Sequence, residues 1–445
     1  MDIKERLERL DVTAGGARQV REEIIPDLRK RLERLADPRR LEKAEKRVSS
    51  ITEWVEGEEI VTPHGKVFMS QEAYGSGYRH GGMLLDRVME IPTYPVSLVS
   101  RDETLMDLDF SRTLFIDVET TGLAGGTGTY AFLVGVGYFE RSRFVTRQFF
   151  LRDLSEEWAM LWVLGDLARR FRFLVTFNGK RFDIPLLETR FILSRMENPL
   201  KDLPNYDLLF PCRRIWRGAY EDCRLTTLES CVLGMDRQDD VPSDMIPDLY
   251  FDYLRRGDGS RVHRVFYHNR MDVLSLVTLA ARIHELVHAP ETASRSGWIE
   301  VNSLGKLFSR KGRMGKAIEC FHDALRFCKD SREWEILKPL SLAMKREKQM
   351  DQAAAIWMEM ISLDGGRELF PYEELAKFYE HQMKDHTEAL SWVREAFEKL
   401  ADISPIERKA LEHRYQRLLF KIKRKGERID QKAKGSGSFS SPLGS

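Results

Sequence analysis

Residues Leu114–Leu123 read LFIDVETTGL, and this stretch decides the fold. Leu114, Phe115 and Ile116 form an apolar run that predicts a strand, ending in Asp117 and Glu119. Strand side chains alternate faces, so carboxylates at i and i+2 point the same way. Two neighbouring carboxylates at the end of a buried strand repel each other and lose hydration, a cost that a cation between them relieves. Oxygen-only donors of this kind suit Mg²⁺ or Mn²⁺. A solvated strand end would carry the same letters, so the rest of the chain decides between the two.

Working outward, residues 111–290 alternate strand-like and helix-like segments. Thr113–Asp117, Thr129–Phe139 and Arg143–Leu151 read as strands, and Ser155–Phe171 as a helix opened by Ser155 with two glutamates in its first turn. Phe173–Phe177 reads as a strand, Ile184–Met196 as a helix, and Val262–His288 as one long amphipathic helix or two. Strands first, then helix, strand and helix give a mixed α/β domain.

Two further motifs carry chemistry. Asn178–Asp183, NGKRFD, follows the strand Phe173–Phe177 and sets Asp183 near a helix start. Sites gather at such edges of open α/β sheets. In Tyr267–Asp272, YHNRMD, His268 and Asp272 are four apart and share one helical face. Each motif alone is bland: a helical aspartate is usually solvated and a lone histidine usually structural.

Taken in order, Asp-x-Glu, Asn-x-x-x-Phe-Asp and His-x-x-x-Asp resemble the DEDD superfamily of 3′→5′ exonucleases, which has an RNase H-like fold. The core resemblance covers about residues 111–288. With the helical repeats that follow, the chain resembles the bacterial YprB-type exonucleases implicated in mitomycin-damage repair. The resemblance implies an α/β RNase H-like nuclease domain plus an all-α tetratricopeptide-repeat domain. It implies that Asp117, Glu119, Asp183 and Asp272 hold two divalent cations, Mg²⁺ or Mn²⁺, and that His268 is the general base. Three residues separate His268 from Asp272 where the histidine subclass has four, and Tyr267 stands one step too far for the tyrosine subclass. The i, i+4 spacing favours His268. Two metals about 3.5–4 Å apart can activate water and stabilise the leaving oxygen of a phosphodiester, with Asp117 as the natural bridge. By the same resemblance Thr120, Thr121, Gly122 and Leu123 line the pocket for the terminal nucleotide, and Asn178 contacts the strand. Asp207 is assigned a structural role.

Residues 297–400 change character. Leu304, Gly305, Phe308, Gly312, Ala317, Phe321 and Ala324 sit at tetratricopeptide spacing. A shift of 36 gives Leu340, Ser341, Met344, Ala353 and Trp357. A third copy gives Leu375, Ala376, Tyr379, Ala389, Val393 and Ala396, with one residue inserted before Ala389. Such hairpins stack around a shared core and leave a concave face suited to a protein partner. A helicase is one such partner, since no helicase nucleotide motif stands in the chain.

The remaining segments are a charged helical arm over 1–50, an irregular β-rich lead-in over 51–110, a basic helical tail over 401–434 and a linker-like end over 435–445. Arg408–Lys434 carries 11 Lys/Arg and 3 Asp/Glu, a net of +8. That charge suits salt-sensitive contact with nucleic acid. An apolar stripe of Leu411, Tyr415, Leu418, Leu419 and Ile422 suits packing on the last repeat instead.

The 445 residues exceed one ordinary core. A net charge of +1 excludes a polycation, so nucleic acid must be met by local patches. No run of about 18 apolar residues predicts a membrane helix, and the charged start MDIKERLERLD is not a secretory signal. Five cysteines without a CxxC pair fit reduced thiols in a cytoplasmic protein. Together these features predict a metal-dependent 3′→5′ exonuclease acting on DNA. The alternatives are an exoribonuclease, or a nuclease-like module that only binds nucleic acid.

Overall fold

The computed structural model describes residues 50–93, 95–122, 128–290, 292, 297–329, 331–363, 368–400 and 403–435. The arm expected over 1–50, Ser50 apart, and the end expected over 435–445, Gly435 apart, lie outside the described residues, as does Leu123.

Among the described residues nine strands form: β1 Glu58–Thr62, β2 Gly65–Tyr74, β3 Arg79–His80, β4 Met83–Leu84, β5 Thr113–Thr120, β6 Ala131–Glu140, β7 Arg143–Phe150, β8 Phe173–Thr176 and β9 Asn205–Asp207. Seven make one sheet in the order β1-β2-β7-β6-β5-β8-β9, with β3 and β4 a separate hairpin. Pairing is antiparallel from β1 to β5 and parallel from β5 through β8 to β9. The lead-in over 51–110 therefore supplies β1 and β2 to the same sheet.

The helices around the sheet are α1 Glu157–Ala168, α2 Asp183–Leu193, α3 Leu209–Trp216, α4 Ile246–Arg256 and α5 Gly259–His288. The alternation of β5 divides the core. Leu114 and Ile116 pack with Met160, Leu164, Leu187, Tyr250 and Phe266 on one face. Phe115 packs with Val273, Leu274 and Val277 of α5 on the other. Asp117 and Glu119 continue the Phe115 parity and so open toward α5. Helix α1 begins two residues later than Ser155. Asp153 caps a short 3₁₀ turn there, accepting from the Ser155 amide at 2.9 Å.

Three helical hairpins follow: α6 Trp298–Arg310 with α7 Met314–Phe327, α8 Trp334–Arg346 with α9 Met350–Leu363, and α10 Leu369–Phe378 with α11 His386–Lys399. A Cβ at Gly305 would meet the Phe321 ring at 2.6 Å, so only glycine lets α6 and α7 approach this closely. The extra residue of the third copy coincides with a π turn at Tyr379–Met383, the usual result of a one-residue insertion in a helix. The apolar core runs without a break from the sheet into the hairpins. Trp216 of α3 donates to Glu300 of α6 at 2.6 Å, and both are buried.

Helix α12, Pro405–Gly435, closes the stack, with Leu411 and Leu418 buried. Its positive charge is partly consumed there. Glu380, buried in the π turn, accepts from Arg414 and Arg417 at 2.8 Å and from Lys421 at 2.7 Å. Arg408, Lys409, Lys423, Arg424 and Lys425 remain exposed. Burial opposes charge on Glu380, but the bonds from Lys421 and Arg417 prevail and hold its carboxyl down at about 2. A depressed folded value stabilises the fold fully above the ordinary value of 4.5 and loses that stabilisation as pH falls toward 2. Glu380→Gln should therefore melt lower than wild type at neutral pH. Melts in a pH series should show the gap closing between about 4.5 and 2. A gap that persists at the acid end would contradict the pairing.

Candidate active site

The site is built at the end of β5. Asp117 is paired in register with Gly135 of β6, and Gly135 with Gln148 of β7. Asn269 of α5 lies over this rung. Its Nδ2 donates to Asp117 Oδ2 at 2.8 Å and to the Asp117 carbonyl at 3.1 Å. Its Oδ1 accepts from Gln148 Nε2 at 2.9 Å. A Cβ on Gly135 would stand 2.0 Å from Asn269 Oδ1, so a missing side chain on β6 makes room for the amide that fixes Asp117.

Asp183 is the first residue of α2. The preceding loop is tied down by Asp207, which accepts the amides of Asn178 at 2.7 Å, Lys180 at 3.1 Å and Leu209 at 3.1 Å. This is the structural part expected of Asp207. Asn178 takes a left-handed conformation at φ 64°, which asparagine tolerates well. Helix α2 is locked to α1 by Arg190, whose Nε and Nη2 grip Glu157 at 2.5 and 2.6 Å.

His268 and Asp272 come from the middle of α5. His268 is buried, and its Nδ1 lies 3.0 and 2.9 Å from the two oxygens of Asp240. Its Nε2 faces Asp272 Oδ2 at 3.5 Å and Glu119 Oε1 at 3.9 Å. Among the described residues, Glu119, His268 and Asp272 form the group of three donors close enough to share one metal ion.

The carboxylates also act on one another electrostatically. Desolvation first, then Asp272, pushes Asp117 up to about 7. Desolvation and the charge of Asp117 raise Glu119 far above the usual range. Asp183 is raised by desolvation and by Asp117, Asp207 and Asp272. Groups that resist ionising together are the chemistry a divalent cation answers. The donor set therefore fits a divalent metal. Burial disfavours a charged His268, but the hydrogen bond to Asp240 and the charges of Asp272 and Glu119 outweigh it and raise the ring to about 9.

Thr120 and Thr121 lead away from this edge. Thr120 Oγ1 donates to the Gly122 carbonyl at 3.0 Å. Thr121 and Tyr130 exchange bonds of 3.0 Å. Tyr267 is half-buried next to His268. Arg214 donates to the Val99 carbonyl, so it is spent on packing α3. Cys212 is buried, Cys223 half-buried and Cys231 exposed, all three as free thiols.

Sequence reasoning missed Gly135, Gln148, Asn269, Arg237 and Asp240. Asn269 stood beside His268 and could have been found as a polar residue on the inner face of a helix. Arg237 and Asp240 lie in a loop, RQDD, with no periodicity to mark them.

Residues 114–284 match the RNase_H_2 family of the RNase_H superfamily, and the sheet with its helices is an RNase H-like fold. That class points to a nuclease. The chain is also 29% identical over 353 residues to the uncharacterized protein YprB of Bacillus subtilis (strain 168), covering 78% of this chain and 84% of that one. Among the described residues, no helix is long and apolar enough to cross a membrane.

Gly135→Ala should force Asn269 off Asp117. Overpacking of this kind costs about 1–3 kcal/mol, readable by urea unfolding. A variant as stable as wild type would show that the rung has slack.

Proposed function

We propose that this protein is a metal-dependent 3′→5′ exonuclease that hydrolyses phosphodiester bonds of DNA. The observation that supports the reading is that Glu119 of β5 and Asp272 of α5 both face His268 Nε2, with Asp117 of β5 and Asp183 of α2 near enough for their charges to act on Glu119. Those four carboxylates would hold two divalent cations, Mg²⁺ or Mn²⁺, which supply charge neutralisation and an activated water.

The chain's own residues do the rest. Asn269 fixes the Asp117 carboxylate on the β5 edge, so it does not swing away from its neighbours. Asp240 holds His268 at Nδ1, leaving Nε2 to accept the proton of the attacking water. Neutralising Glu119 and Asp272 would remove two of the charges that raise the ring, while the hydrogen bond to Asp240 would remain. Thr120, Thr121, Gly122, Leu123 and Asn178 would receive the 3′-terminal nucleotide. The exposed Arg408, Lys409, Lys423, Arg424 and Lys425 of α12 would meet phosphates further along the strand. A protein partner on the helical hairpins, such as a helicase, belongs to the same proposal, as do a cytoplasmic location and a role in damage repair.

The test is end-labelled single-stranded and duplex DNA and RNA with Mg²⁺ or Mn²⁺. A ladder that recedes from the 3′ end of DNA supports the reading, and no metal-dependent cleavage overturns it. Asp117→Ala and Asp183→Ala should each abolish cleavage with the fold intact and, by relieving repulsion, raise the melting temperature of the metal-free protein. Substantial metal-dependent activity in both would rule out the site. His268→Ala should lower turnover about 10²–10⁴-fold, and Tyr267→Phe should leave it near wild type. The reverse pattern would make Tyr267 the base.

A further inference from the structure

A loop and a π turn stand directly behind the site, and of their residues the proposed chemistry uses only Asp240. The π turn Glu229–Leu233 presents Glu229, which is buried. Arg237, its side chain only 5% exposed, grips both Glu229 oxygens through Nε at 2.8 Å and Nη2 at 2.5 Å. The same guanidinium reaches Asp240 Oδ2 through Nη1 at 3.0 Å and pairs with Asp272 Oδ1 through Nη2. One arginine thus serves three carboxylates, which its planar fork of five donors can do and an ammonium cannot.

The bonds leave particular atoms free. Asp272 spends Oδ1 on Arg237 and turns Oδ2 toward His268 Nε2, at 3.5 Å. Asp240 spends its oxygens on Arg237 and on His268 Nδ1, which leaves Nε2 as the imidazole nitrogen facing Glu119 and Asp272. The support runs further back. Ser275 donates to Glu229, His80 Nε2 lies 2.7 Å from Ser275 Oγ, and the Gly82 amide donates to the Leu233 carbonyl at 2.7 Å. The β3–β4 hairpin therefore braces the π turn, and the π turn braces Arg237.

We propose that Arg237 and Asp240 are positioning residues of the hydrolytic site: Arg237 selects the Asp272 oxygen offered to metal, and Asp240 selects the His268 nitrogen offered to water. This rests on the metal-dependent hydrolase reading. Partners that orient ligands from behind are worth about 10–100-fold in metal affinity or activity.

A merely structural ion-pair network would move stability alone, so the experiment reads other quantities. Mn²⁺ affinity by calorimetry, kcat and KM on a single-stranded oligonucleotide, and the side-chain ¹⁵N shifts of His268 are measured on the full chain. Arg237→Lys keeps a cation but loses the fork, and should weaken Mn²⁺ binding about 10–100-fold. Removing Arg237 alone would strand Glu229 as a buried charge and risk the fold. The paired variant Glu229→Gln with Arg237→Gln avoids that and should show the same loss while folded. Asp240→Asn should lower kcat about 10–100-fold at constant KM and shift the His268 tautomer. Asp240→Glu should recover activity, because a cavity of about 440 Å³ lined by Arg237, Asp240 and His268 accommodates the extra methylene. Wild-type Mn²⁺ affinity, kcat and ¹⁵N shifts in these variants, with only the melting temperature changed, would overturn the proposal. A wild-type protein that binds no Mn²⁺ would overturn the hydrolase reading with it.

Discussion

Repulsion among carboxylates gathered at one sheet edge is the constraint on which the rest of the structure depends. Asp117, Asp183 and Asp272 each raise the cost of ionising Glu119, and Asp272 does the same to Asp117 and Asp183. A flexible scaffold would let them splay apart. This one holds each in its own way. Asp117 is bound by the Asn269 amide, which sits where Gly135 has no side chain. Asp183 is fixed through a loop whose amides converge on Asp207 and a helix bolted by the Arg190–Glu157 pair. Asp272 is answered by Arg237. Folding energy from a continuous apolar core is spent on keeping like charges together.

The parts of this arrangement that were legible in the sequence are those governed by short-range periodicity. Asp117 and Glu119 fall on one face because strands alternate, and His268 and Asp272 do so because a helix turn is four residues. The hairpin repeat was legible for the same reason, down to the extra residue before Ala389. What was not legible depends on pairing across long distances. Nothing local in GKVFMSQEAY says that β2 will lie beside β7, which is 76 residues away at the Gln71–Arg147 contact. Arg237 and Asp240 sit in an irregular loop, and only the closed fold brings them to α5. The tail shows the limit of counting charge. Its net of +8 was plain, but Glu380, the single acid that claims three of those cations, lies far from it in sequence.

Two π turns among the described residues meet the same problem, one behind the site and one under helix α12. Each carries a buried glutamate. Glu229 faces Arg237, and Glu380 faces Arg414, Arg417 and Lys421. A buried carboxylate with saturated partners contributes little net stability against an apolar replacement, but breaking one side of the pair is costly. Such pairs specify geometry more than they add stability. At Glu380 the geometry specified is the angle of the closing helix α12. At Glu229 it is the angle of a guanidinium with two more acids to reach.

The hairpins and the site are also mechanically joined. Helix α5 carries Asn269, His268 and Asp272 in its first half and packs Leu276, Val277, Ile283 and Leu286 into the shared core in its second. Helix α3, which follows the Asp207 anchor, meets α6 through the buried Trp216–Glu300 bond. A partner that shifted α6 would press on α3, and α3 begins two residues after the carboxylate that ties down the Asp183 loop. The path from hairpin to Asp183 is a short run of packed, hydrogen-bonded elements. An all-helical region attached in this way holds the carboxylate-bearing edge of the sheet at a fixed distance from the hairpins.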